Sequence, residues 1–233
     1  MPIPGIAQNV GGIGAGDPFF QNVILLMHFD TSITGQSQYI TAPALTVVSN
    51  PVLSTIPIKL YGLSSIYFDG DGDSIYSSDG SYWNFPSDFT IEFAFRTGQP
   101  DNNRGILDFR ASGTGSGPLF EQKATGSGEF AFRIGGTNYA EQSIGSNTWY
   151  QVAMSRSGST VSFYWDGTRV GTATNGSSLS CQFTLGTYQN ERQNNTNFHY
   201  DGYIDELRVT KGVGRYSGAS YQLQGGPFPD YGF

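Results

Sequence analysis

Cysteine is almost absent: Cys181 is the single one in 233 residues. No disulfide can therefore close within the chain, and no cysteine-based zinc cluster can form. Charge is also scarce. Asp, Glu, Lys and Arg make up 13% of the residues, against roughly 25% in ordinary globular proteins. Lys+Arg number 12 against 19 Asp+Glu, a net charge of −7, and no basic block occurs. That balance argues against a nucleic-acid binder that tracks phosphates and against docking on anionic lipid. No apolar run approaches the roughly 18 residues of a membrane-spanning helix. The N-terminus has neither the basic region nor the apolar core of a signal peptide, which predicts synthesis in a cytosol. Apolar residues at helical spacing are missing throughout.

Glycine and aromatics are abundant. Gly numbers 32 and aromatics reach 15%, which excludes generic disorder. Val23, Ile24, Leu25, Leu26, Met27 and Phe29 form a short apolar run that suits a strand covered on both faces. Phe89, Ile91, Phe93 and Phe95 alternate with Thr90, Glu92 and Ala94, the period of a strand with one face inward. Asp166 and Gly167 separate two β-rich runs and predict a hairpin. In the run from Tyr203 to Thr210, Ile204 and Leu207 fall out of strict alternation, which predicts either a bulge or two-sided burial. Cys181 reads as a small buried hydrophobe in a strand, and Trp149 and Trp165 read as core. Turn residues recur about every ten positions, as in a sandwich or barrel.

Residues 1–18 are small, Gly-rich and uncharged before Asp17, and cannot bury enough surface to fold alone. They read either as a flexible leader or as an arm that orders on a partner. Residues from about Ser217 read as an irregular tail. The expected division is an arm over 1–18, one domain over 19–216 and a tail over 217–233.

Candidate chemistry is sparse. Asp69, Asp71 and Asp73 alternate with Gly70 and Gly72, a pattern that suits either a hairpin turn or a calcium loop. Glycoside hydrolysis needs two carboxylates facing one cleft. Asp205 and Glu206 are adjacent and point to opposite faces of a regular strand. His28 and His199 have no nucleophile elbow near them. The expectation is a protein that is not an enzyme. Sugar binding fits two polar loops. One carries Tyr82, Trp83 and Asn84; the other carries Tyr188, Asn190 and Asn194. Trp83 reads alternatively as a plug closing one end of the fold, together with Phe85.

Six segments in order carry a resemblance. They are Asp17 to Asp30, Ser65 to Asp73, Asp88 to Glu92, Trp149 to Ala153, Tyr164 to Gly167, and Gly202 to Gly212. The stretch from Asp17 to Val213 resembles a laminin-G-like, concanavalin A-like jelly-roll domain, of the kind found in tailed-bacteriophage virion proteins. The resemblance implies an all-β, two-sheet antiparallel jelly-roll sandwich with an extended N-terminal arm. It also implies a structural calcium ion held by Asp205 and the Gly70 carbonyl. The function it implies is structural: a capsid decoration, fibre or tail appendage in the virion, with a lectin-like domain for bacterial surface glycans. The implied partners are other virion proteins, contacted through residues 1–18, in a homo-oligomer or multi-copy assembly. The alternative is a stand-alone carbohydrate-binding lectin.

Overall fold

The computed structural model describes residues 16–34, 43–55, 59–194 and 198–232. Most of the expected arm, residues 1–15, lies outside the described residues. In chain order the strands are β1 (Val23–Met27), β2 (Thr46–Val48), β3 (Val52–Ser54), β4 (Ser65–Asp69) and β5 (Ser74–Ser77). A single helical turn, α1 (Gly80–Trp83), precedes β6 (Phe89–Thr97), β7 (Arg104–Arg110), β8 (Leu119–Lys123), β9 (Glu129–Ile134) and β10 (Thr137–Ser143). There follow β11 (Trp149–Ser157), β12 (Thr160–Trp165), β13 (Thr168–Thr174), β14 (Cys181–Leu185) and β15 (Asp201–Lys211).

These strands form two antiparallel sheets packed face to face. Sheet A runs β13-β12-β11-β6-β15-β4-β3, with β1 also paired to β15. Sheet B runs β10-β9-β8-β7-β14-β5-β2. The inward face of β6 gives Phe89, Ile91, Phe93 and Phe95 to the core, as its period predicts. Sheet B answers with Phe109, Phe120, Phe130, Phe132 and Phe183. Phe95 stacks on Phe130 with centroids 4.8 Å apart, and Phe93 meets Phe120 edge-on at 5.1 Å. Each such ring taken from water stabilises the fold by about 1.5–3 kcal/mol.

The hairpin at Asp166 and Gly167 joins β12 to β13 directly, and both residues have positive φ, 45° and 77°. That is the two-residue turn whose twist matches the strands. The irregularity in β15 is a bulge: the pairing with β6 slips between Asp205 and Arg208, and Glu206 has φ 52°. The bulge has a topological cause. Strand β4 pairs with Asp201 to Ile204, whereas β1 pairs with Leu207 to Thr210. The two neighbours share one edge of β15, and the bulge falls where one hands over to the other.

Cys181 and Trp165 pack in or against the core as expected. Trp149 does not. Tyr150 takes the inward position against Phe95 at 5.6 Å, so Trp149 points to the opposite face and is half-buried outside the core cluster.

Both ends of the described chain pack on the sandwich. Asp17 is 1% exposed and belongs to the folded body. Its Oδ2 lies 3.0 Å from Arg208 Nη1 and 2.7 Å from Arg215 Nη2. The C-terminal tail has little regular structure, but it is packed across the outer face of sheet A. Tyr216 stacks on Tyr221 at 3.8 Å and donates to Glu92 Oε2 at 2.7 Å. Phe228 lies over the Arg208 guanidinium at 3.8 Å. Glu92, read as solvent-facing by alternation, is therefore 2% exposed.

Candidate functional site

With sheet A covered by the tail, the outer face of sheet B carries the other polar assembly. The segment after β14 starts at Gly186, whose φ is +89° and where an added Cβ would lie 2.5 Å from the Phe68 ring. Only glycine turns the chain there without strain. The segment then folds back over its own sheet. Gln189 N donates to Asp108 Oδ2 at 2.9 Å, and the Tyr188 hydroxyl donates to Glu121 Oε2 at 2.9 Å. The Arg192 guanidinium lies 4.5 Å over the Tyr76 ring and donates to Gln182 Oε1 at 3.0 Å. Gln193 Nε2 donates to the Tyr76 hydroxyl at 2.8 Å. His199 is buried, with Nε2 2.6 Å from the Asn194 carbonyl oxygen and Nδ1 3.1 Å from that of Asp73.

The result is a fixed polar surface with rings at both ends. Asn190, Gln193 and Asn194 are exposed. Phe198 is 40% exposed and meets Tyr188 edge-on at 5.8 Å. Burial, reinforced by the Glu121 charge, pushes the Tyr188 phenol well above its usual range, so it stays a neutral donor. Amides and neutral hydroxyls offer both donors and acceptors, and half-exposed rings offer flat apolar area. A sugar presents the matching pattern: hydroxyls at its rim and C–H groups on its faces.

The structure thus brings Tyr188, Asn190 and Asn194 together, as the sequence suggested, and adds Tyr76, Arg192, Gln193 and Phe198. Composition gave a polar loop, but the stack on Tyr76 depends on β5 lying beside β14, which no local signal records.

The other proposed loop is structural. Trp83 has no exposed surface and stacks on Phe183 at 5.0 Å, so it is the core plug and cannot meet a sugar. Tyr82 packs edge-on to Trp83 at 5.0 Å and donates its hydroxyl to the Ile24 carbonyl at 2.7 Å. Asn84 Oδ1 accepts from Cys181 N at 2.9 Å. These three pin the Cys181 end of β14, whereas the Tyr188 loop leaves from the Leu185 end.

The two residues named for calcium, Gly70 and Asp205, lie apart. Asp201 stands opposite Asp69, so Gly70 lies at the Asp201 end of β15. Asp205 is four residues further on, about 13 Å at the rise of a strand. Gly70 sits against the Arg104 guanidinium, where an added Cβ would lie 2.5 Å from Nη1. A cation is unfavourable there. Asp205 Oδ2 accepts from Leu60 N at 2.8 Å and Tyr61 N at 3.0 Å, pinning the 60–61 turn in the gap between β4 and β1. Burial, together with the Glu206 charge, pushes the Asp205 carboxyl up to about 7. The Asp69 to Asp73 stretch is the turn joining β4 to β5. Asp69 Oδ1 accepts from Asp71 N at 2.8 Å, and Asp73 Oδ1 from Asn50 N at 2.8 Å. Among the described residues no group of three His, Cys, Asp or Glu side chains is placed to hold a metal ion.

Glu206 and Asp230 are engaged with His28. Glu206 accepts from Phe228 N at 2.7 Å and binds His28 Nδ1 at 2.8 Å, while His28 Nε2 faces Asp230 at 3.2 Å. Burial opposes charge on His28, but the two carboxylates outweigh it and raise its pKa to about 9.

The comparisons agree with this architecture. A model of the laminin G type, described as the concanavalin A-like lectin/glucanases superfamily, matches residues 69–213. The chain belongs to this superfamily. No curated protein matches the sequence. Among solved structures, domain 4 of AbnA, a GH43 extracellular arabinanase from Geobacillus stearothermophilus, was solved with arabinotriose. It superposes with a TM-score of 0.59 at 16% identity, over 82% of this chain and 93% of that one. The binding domain of botulinum neurotoxin serotype D/C gives 0.60 at 15% identity, over 84% of this chain and 50% of that one. The serotype C1 binding domain gives 0.59 at 13%. The concanavalin A-like chain thus spans about half the length of the neurotoxin domains. At these identities the likeness shows the fold.

Proposed function

We propose that this concanavalin A-like domain is a non-catalytic carbohydrate-recognition module that reads an oligosaccharide across the outer face of sheet B. The observation that carries the reading is the half-exposed Phe198, set against Tyr188 beside the exposed amides of Asn190, Gln193 and Asn194. Apolar rings ringed by fixed hydrogen-bonding groups suit a sugar better than a flat protein partner. The arabinotriose complex of the arabinanase domain supports a sugar-binding use of this fold. So does a ganglioside requirement for cell entry stated for botulinum neurotoxin type C. Catalysis is disfavoured by the pairing of the carboxylates: Asp108 with Arg110, Glu121 with Arg133, and Glu92 with Arg208.

A glycan array tests this reading. The protein is expected to retain a defined set of oligosaccharides. Phe198→Ala should weaken retention about tenfold, the loss of one stacking contact of about 1.4 kcal/mol, with the melting temperature unchanged. An array with no retained glycan overturns the reading.

The finer reading places the domain on a virus particle, in several copies, held to other virion proteins by its N-terminal arm. The resemblance of the sequence supports it, as does the lack of charge before Asp17, which makes burying that segment in a partner's groove cheap. Because Asp17 N donates to the Tyr231 carbonyl at 2.7 Å, a deletion should stop short of Gly16. Removing residues 2–15 is expected to leave the melting temperature unchanged and to abolish assembly in sedimentation. Assembly at normal occupancy after the deletion would remove the arm from this role. A full-length protein that binds glycan but sediments as a monomer would instead be the stand-alone lectin.

A further inference from the structure

We infer that the oligosaccharide read by this face carries a carboxylate, as a uronic or sialic acid does, and that Arg192 receives it. This inference rests on the carbohydrate reading above. Its starting point is an uneven distribution of ion pairs. On sheet B, Arg110 is paired with Asp108 at 2.7 Å, Arg133 with Glu121 at 3.2 Å, and Lys123 with Glu141; Arg104 of β7 has no such pair, but its Nη1 donates to the His199 carbonyl at 2.6 Å and its Nε is buried, so it offers no open edge. Arg192 forms no ion pair among the described residues. Among the described residues its side chain donates to an amide oxygen, that of Gln182, at 3.0 Å. The next residue back, Glu191, is held by Asn190 Nδ2 at 2.5 Å.

A guanidinium has five donors, and one nitrogen of Arg192 is engaged. Its Nε and Nη2 have no described partner. Nor are they among the buried unsatisfied nitrogens, unlike the Nε atoms of Arg104, Arg133 and Arg156. They reach water.

The group is also held in place. Its plane is carried on Tyr76 at 4.5 Å, the Tyr76 hydroxyl is held by Gln193, and the Arg192 carbonyl accepts from Ser74 Oγ at 2.9 Å. A fixed fork with an open N–H edge matches a carboxylate in two parallel hydrogen bonds, and little side-chain freedom is lost on docking. A net charge of −7 opposes an anion only at long range, since charges beyond about 8 Å are screened at physiological ionic strength.

The layout also sets ligand size. Tyr188 reaches Glu121 on β8, whereas Arg192 sits on Tyr76 of β5, three strand spacings away. That is about 14 Å, so a single sugar cannot engage both ends and an oligosaccharide can.

The test is an array carrying uronate- and sialate-bearing glycans, their carboxyl-reduced counterparts, sulfated glycans and neutral glycans, read with wild type, Arg192→Gln and Arg192→Lys. Wild type is expected to bind carboxylated glycans at least about tenfold more tightly than the reduced forms, the worth of one charge-assisted bidentate contact. Arg192→Gln should lose that preference while still binding the reduced forms, with an unchanged melting temperature. Arg192→Lys should keep the salt dependence and lose most of the affinity. Equal binding of sulfated glycans, or a preference for neutral glycans indifferent to Arg192→Gln, overturns the inference and leaves the carbohydrate reading standing. No retention in any class overturns both.

Discussion

Replacing Arg208 by alanine is expected to cost about 3–5 kcal/mol of folding stability, the cost of breaking a buried ion pair by removing one partner. Arg208 is 1% exposed. Its Nη2 lies 2.8 Å from Glu92 Oε1 and its Nη1 3.0 Å from Asp17 Oδ2, and both carboxylates are as buried as the arginine. Arg215 alone would then face them, holding Asp17 at 2.7 Å but Glu92 only at 3.8 Å. Glu92 would be left as a buried charge with the Tyr216 hydroxyl for support. The loss is read from denaturant unfolding. A triple replacement, Asp17→Asn, Glu92→Gln and Arg208→Met, should recover much of it, because the penalty is the unpaired charge rather than the missing side chain. A loss below about 1 kcal/mol for Arg208→Ala would mean that water reaches the network and that the tail is not seated on sheet A.

Phe93→Ala is expected to cost about 3–5 kcal/mol by the same measurement. Phe93 is 2% exposed, lies at the centre of β6 and packs on Phe95 and Phe120 from the two sheets. The cavity cannot collapse, because β6 is fixed on both sides by β11 and β15. A loss under 1 kcal/mol would place this strand outside the core.

What the sequence showed plainly was local. The alternation of β6, the turn at Asp166 and Gly167 and the broken period of β15 each depend on neighbours in the chain, and each appears in the fold. The covering of sheet A was hidden for a physical reason. Periodicity reports that Thr90, Glu92 and Arg208 share a polar face, but a polar face is polar whether water or a tyrosine-rich tail lies over it. Trp149 was misplaced because its neighbour Tyr150 is equally aromatic and takes the inward side. Gly70 and Asp205 were joined by resemblance, and only strand register, which is a long-range property, separates them. The amide loop was legible by composition; the open N–H edge of Arg192 was not, since it depends on Tyr76 of a neighbouring strand and on no carboxylate lying beside it.

Gly16 packs so closely on Gly232 that an added Cβ would lie 2.8 Å from its backbone. The chain thus enters and leaves the jelly roll at one spot, on the side of sheet A, and the surface proposed to bind sugar is on the side of sheet B. This gives the domain a polarity, with a hilt and a blade. A partner held beside Gly16 would grip the hilt and leave the blade facing away from it. The same adjacency makes the fold nearly a closed ring. A short bridge between the two ends and a new break in an exposed turn, such as the one at Gly158 between β11 and β12, would yield a permuted chain with the same sheets. Its point of attachment would then sit on a different edge, and the blade would point elsewhere.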